Sequence, residues 1–125
     1  MQVMEANEKQ VEYYETANGK SPFRVWFAAL QDRKAQARVD ARLTRVQLGN
    51  LGEYESVGEG VMELKIDYGP GYRVYFGQGG AARVILLCGG DKGTQTKDIK
   101  AARKYWADYR RRHGAQTTNV PRRSS

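Results

Sequence analysis

The sequence predicts an α+β domain: a small, mainly antiparallel twisted sheet with an N-terminal helical hairpin on one face and a C-terminal helix. Three observations predict it. Apolar residues recur at the helical period of about 3.6 between Pro22 and Val46, at the strand period of 2 between Met62 and Phe76, and again at the helical period from Ile99 to Tyr109. With 125 residues the chain has room for one modest core, so a single domain is expected.

Each element follows from local chemistry. Residues 1–9 are polar and read as a flexible N-terminus, with the folded domain over 10–112. Val11 and Tyr13 alternate with Glu12 and Tyr14 as in a short strand, and Asn18-Gly19 marks a turn. In "SPFRVWFAALQD", Ser21 suits the N-cap and Pro22 the first helical position, while Phe23, Trp26, Phe27 and Leu30 form one apolar face. Asp32 can cap a second helix whose stripe is Ala35, Val39, Leu43 and Val46, with Gly49 placed to end it. A connection so short implies an antiparallel helical hairpin. The segment "GNLGEYESVGEG" reads as loop.

In the second half, Met62, Leu64 and Ile66 alternate with Glu63, Lys65 and Asp67, and Tyr72, Val74 and Phe76 alternate with Arg73 and Tyr75. These are strands with one buried face, joined by a Gly-Pro-Gly turn. Residues 83–88 are apolar on both faces, as in a strand covered above and below; Gly77 to Gly80 supply the turn before it and Gly89-Gly90 end it. A last helix is expected from about Lys97 to Arg112 with Thr96 as cap, and residues 113–125 read as a disordered basic tail. The resulting order is β-α-α-β-β-β-α.

A formal charge of +7 favours an anionic partner, nucleic acid first, because a basic field attracts polyanions before specific contacts form. The lone cysteine, Cys88, lies in the apolar run "ARVILLC" and cannot form an internal disulfide. No basic-then-apolar leader and no membrane-length apolar stretch occurs, so a cytoplasmic protein is expected.

One cysteine and one histidine cannot make a zinc site from the usual ligands, and "GQGG" precedes a strand where a phosphate loop would open a helix. His113 reads as a solvated cation among arginines. What remains is the outward face of the hairpin "ELKIDYGPGYRVYF" and the following "GGDKGTQTKDIK", which together gather Lys65, Arg73, Asp91, Lys92 and Lys97 into a cationic cleft. Such a cleft can hold a phosphodiester, and a lysine crowded by cations has a lowered pKa suited to proton transfer. The same alternation also describes an ordinary solvated face with Asp67–Lys65 or Glu63–Arg73 ion pairs. Tyr68 in the turn and Tyr75 on the outer face can stack on bases.

The stretches "VMELKIDYGPGYRVYF" and "VILLCGGDKGTQTKDIKAA" resemble the RelE/HigB superfamily of bacterial toxins, in its addiction-module killer protein branch. The similarity spans about residues 10–110 and rests on "GYRVYF" and "GGDKxTQxxDI" in that order. It implies the toxin of a type II toxin–antitoxin module with a RelE-like fold, an endoribonuclease that cuts messenger RNA on the ribosome and inhibits translation. It implies the 2′-hydroxyl as nucleophile and no metal or other cofactor.

By motif, the resemblance places catalytic cations at Arg73, Lys65 and Lys92. Glu63 stands where relatives carry a second strand lysine, and Lys97 and Asp98 lie nearest the position of their C-terminal tyrosine, which leaves the general acid and base unassigned. Asp91 would orient Lys92 or share in proton transfer. Glu63, Tyr68 and Tyr75, with Arg38 and Arg42 of the second helix and Lys100 and Arg103 of the last, are the expected RNA contacts. The implied partner is a helix-turn-helix, HigA-like antitoxin, through which alone the toxin meets operator DNA. Two alternatives share the fold: a ParE-like gyrase inhibitor, and an inactive homologue that only binds antitoxin or RNA.

Overall fold

The computed structural model describes residues 8–117. Its elements in chain order are β1 (Gln10–Tyr13), α1 (Pro22–Ala29), α2 (Arg33–Gln47), β2 (Tyr54–Ser56), β3 (Val61–Ile66), β4 (Tyr72–Gln78), β5 (Arg83–Asp91) and α3 (Gln95–Thr117), with a 3-10 turn at Lys92–Thr94 leading into α3. The fold is mixed α+β, with one five-stranded sheet of order β1-β5-β4-β3-β2. β1 runs parallel to β5, and the other neighbours are antiparallel.

The caps of α1 and α2 act as expected. Ser21 Oγ accepts from Arg24 N at 3.2 Å, and Asp32 Oδ1 accepts from Lys34 N at 2.9 Å. β2 was expected to be loop; its three residues are all exposed, so no burial pattern marked them, and pairing with Met62–Leu64 makes them an edge strand. Arg42 holds this edge in place. Its side chain is buried, with Nε and Nη2 donating to Leu51 O at 3.3 and 3.1 Å, Nη2 to Glu53 O, and Nη1 to Lys65 O. The expected RNA contact at Arg42 is thereby corrected: its donors are spent on backbone carbonyls. Arg42→Met should cost at least about 2 kcal/mol in urea unfolding, since those carbonyls lose their charged donor while remaining under α2. The same variant should raise hydrogen exchange across residues 51–56.

Both faces of the sheet are covered. α1 and α2 pack Phe23, Val39, Leu43 and Val46 on Leu64, Val74, Phe76 and Leu86, while α3 packs Ala102, Trp106 and Tyr109 on Val61, Tyr75, Ile85 and Leu87. The expectation of a single buried face on β3 and β4 is therefore corrected. Glu63, 1 % exposed, and Tyr75, fully buried, point into the layer under α3.

Two pairs of glycine and tryptophan show how closely the layers approach. A Cβ at Gly77 would lie 2.4 Å from Trp106, and one at Gly89 2.3 Å from Trp26. Gly77 is thus strand, not turn, and the turn is made by residues 79–82, closed by Gly79 N to Arg83 O at 3.0 Å. Between Tyr75 and Phe76 the register with β5 slips: Tyr75 pairs with Cys88 but Phe76 pairs with Leu86. The extra residue reverses the facing of everything beyond it in β5. Gly89 consequently meets Trp26 on the α1 side, and Gly90 meets Asp98 on the α3 side.

α3 begins before the expected Thr96 cap. Asp91 caps the 3-10 turn by accepting from Gly93 N at 2.8 Å, and Thr94 answers with a contact to the Asp91 backbone. At the other end the helix was expected to stop at Arg112; helical hydrogen bonding runs on to Thr117, with a non-helical residue at His113. The remainder of the expected tail, residues 118–125, and the first seven residues lie outside the described residues. Lys9, expected to be frayed, donates its backbone N to Gln47 O at 2.9 Å and its Nζ to Ala81 O at 2.7 Å. Among the described residues no helix is long and apolar enough to cross a membrane.

Candidate active site

The antiparallel register makes Lys65 and Arg73 direct partners across β3 and β4, with Gly90 the next residue in line on β5. Side chains so paired rise from the same face with Cβ atoms about 5 Å apart. Lys92 joins them at the turn. Its backbone N donates to Gly71 O at 2.8 Å, and a Cβ built on Gly71 would lie 3.4 Å from Arg73 Nη1 and 3.7 Å from Lys92 Cβ. Gly71, at φ +83°, keeps that narrow space open. Lys65, Arg73 and Lys92 thus gather at the end of the sheet that α3 leaves uncovered.

Their surroundings differ. Lys65 is paired with Glu55 of β2, and that hydrogen bond is the main reason its ammonium pKa is pushed above the usual lysine value. The expectation of a lysine with lowered pKa is corrected for this residue: it is held protonated. Arg73 is only 12 % exposed; its Nε lies 3.9 Å from Glu63 Oε1 and its Nη1 donates to Tyr72 O at 3.2 Å. Below it, Glu63 Oε2 accepts from Tyr75 Oη at 3.0 Å and from Gln95 Nε2 at 2.8 Å. Burial, reinforced by Glu63, drives the Tyr75 phenol far above its ordinary pKa. Tyr75 is therefore corrected from a base-stacking surface residue to a buried donor.

Asp91, beside Lys92, uses Oδ1 to cap the 3-10 turn. Lys97 is exposed and lines, with Lys92, Gln95 and Lys100, a groove of about 730 Å³ that continues the cationic end of the sheet along α3. Arg103, further along, is partly consumed: Nε and Nη2 donate to Val57 O and Nη1 lies 3.9 Å from Glu59 Oε2. Tyr68 and Arg38 form a separate unit against the start of α2, where the Arg38 guanidinium sits 4.7 Å from the Tyr68 ring centre and the phenol donates to Asp32 Oδ2 at 3.2 Å. Burial and Asp32 raise the Tyr68 pKa.

Sequence reasoning missed Gln95, Glu55 and the close approach of Asp98 to β5. The dipeptide Gly89-Gly90 was the available signal for the last: a Cβ at Gly90 would stand 1.8 Å from Asp98 Oδ2, so glycine there marks a close approach by α3.

No family model matches the chain. A protein of Haemophilus influenzae described as uncharacterized is 51 % identical over 81 residues, which is 65 % of this chain and 82 % of the relative. The chain belongs to that protein's family. The relationship assigns no activity.

Proposed function

We propose that the chain is the toxin of a type II toxin–antitoxin module, an endoribonuclease that cuts messenger RNA on the ribosome without a metal. The observation that carries this reading is the meeting of Lys65, Arg73 and Lys92 at one end of the sheet. Arg73 and Lys92 hold the scissile phosphate, and the protonated Lys65 offsets charge that develops on its oxygens. The 2′-hydroxyl gives up its proton to water and attacks the adjacent phosphorus, the P–O5′ bond breaks, and the departing 5′-oxygen takes a proton from water, giving a 2′,3′-cyclic phosphate and a 5′-hydroxyl end. Retention of "GYRVYF" and "GGDKxTQxxDI" supports the same reading, and a mixed α+β fold with a five-stranded sheet and a C-terminal helix accords with it. The partner is a helix-turn-helix antitoxin in the cytoplasm, and Lys97, Lys100 and part of the Arg103 surface contribute to RNA contact.

Expression without the neighbouring antitoxin gene should arrest growth and produce new 5′-hydroxyl ends inside translated messages. Arrest accompanied by a DNA-damage response with intact messages would instead support gyrase poisoning, and absence of arrest an inactive homologue. A finer test uses Glu55, whose carboxylate competes with phosphate for Lys65. Glu55→Gln should tighten binding of a short single-stranded RNA about 2- to 5-fold in fluorescence anisotropy, the scale of an exposed ion pair. The gain should fade as salt is raised.

A further inference from the structure

Glu63 is the most deeply buried carboxylate among the described residues, and it lies directly beneath the candidate site. Desolvating a carboxylate is expensive, and an apolar residue of similar volume would fill the same space at lower cost. Three elements nevertheless converge on it. β3 supplies Glu63, β4 supplies Tyr75 and Arg73, and the first residue of α3 supplies Gln95. Tyr75 and Gln95 both donate to Oε2, which fixes the carboxylate plane and leaves Oε1 toward Arg73.

The guanidinium is held but not consumed. Nε is buried without a hydrogen-bond partner, 3.9 Å from Glu63 Oε1, and among the described residues Nη2 makes no hydrogen bond. A bidentate pair with Glu63 would have occupied the fork that a phosphate needs. An ion pair at this longer separation aims the side chain and leaves its outer donors for an incoming anion.

We propose that Glu63, fixed by Tyr75 and Gln95, is a positioning residue that sets the Arg73 guanidinium against the scissile phosphate of the RNA. This inference rests on the nuclease reading above. Its role is indirect, since the carboxylate lies under the arginine and touches no substrate.

The test compares wild type with Glu63→Gln and Gln95→Ala in ribosome-dependent message cleavage, together with the NMR signal of the Arg73 Nε–Hε group. Gln95 is half-buried at a helix start, so its replacement keeps the core intact and guards against a result that reflects unfolding alone. Glu63→Gln should lower kcat about 10- to 100-fold with little change in KM, the scale of a misplaced catalytic group. Gln95→Ala should lower it less and, having removed one donor from a buried carboxylate, should melt somewhat lower while remaining folded. In both variants the Arg73 Nε–Hε signal should shift and show lower order. Wild-type kcat and an unaltered Arg73 signal in both variants would overturn the inference while leaving the nuclease reading standing. A wild-type protein that cuts no message would overturn the nuclease reading, and the inference with it.

Discussion

Arg73→Lys is expected to reduce message cleavage by about 10²- to 10³-fold, the loss typical of removing one donor to a charged transition state. Growth should recover on expression, and stability should stay near wild type, because a cation still faces Glu63. Lysine keeps the charge but has no planar fork to grip two phosphate oxygens. The alanine variant carries a second effect that pattern reading could not anticipate. Arg73→Ala leaves the Glu63 carboxylate, 1 % exposed, without its counter-cation, and breaking one side of a buried pair costs about 3–5 kcal/mol. It should therefore lose both activity and stability. Adding Glu63→Gln to Arg73→Ala should restore much of the stability and none of the cleavage. Retained growth arrest by a folded Arg73→Lys protein would remove Arg73 from the mechanism.

Trp106→Ala is expected to lower unfolding free energy by about 3–5 kcal/mol, measured by urea denaturation, because a large aromatic leaves a cavity that rigid neighbours cannot close. The indole is 5 % exposed, stacks on Tyr109 with ring centres 5.4 Å apart, and lies flat against Gly77 of the central strand. Gly77→Ala approaches the same contact from the other side and should cost about 1–3 kcal/mol by overpacking. The two changes share one contact, so their effects should not add: the alanine at 77 should do little harm once the indole is gone. Full additivity would mean that Gly77 is needed for its backbone and not for its lack of a side chain.

The parts of the fold legible in the sequence were those determined within a few residues. Ser21 and Asp32 cap their helices because the oxygen and the free N–H groups are neighbours in the chain. The alternation of Met62 to Ile66 and Tyr72 to Phe76 made the strands visible because side chains of a strand must alternate. β2 was missed because an exposed edge strand of three residues carries no such alternation. Part of the candidate site was legible too: Lys65 opposite Arg73 follows from the hairpin turn, and Lys92 from the motif that ends β5.

The sequence by itself determined the class of fold, its three helices, and the set of cations at one end of the sheet. Only the tertiary structure decided what each of those side chains does. α3 covers the face that alternation marks as outward, turning Glu63 and Tyr75 inward to support Arg73, and a one-residue slip in β5 chooses which glycine meets which helix. The physical reason is distance along the chain. Hydrogen bonding within a turn and the facing of side chains along a strand are local, whereas the desolvation of a carboxylate depends on a helix that packs over it from more than thirty residues away.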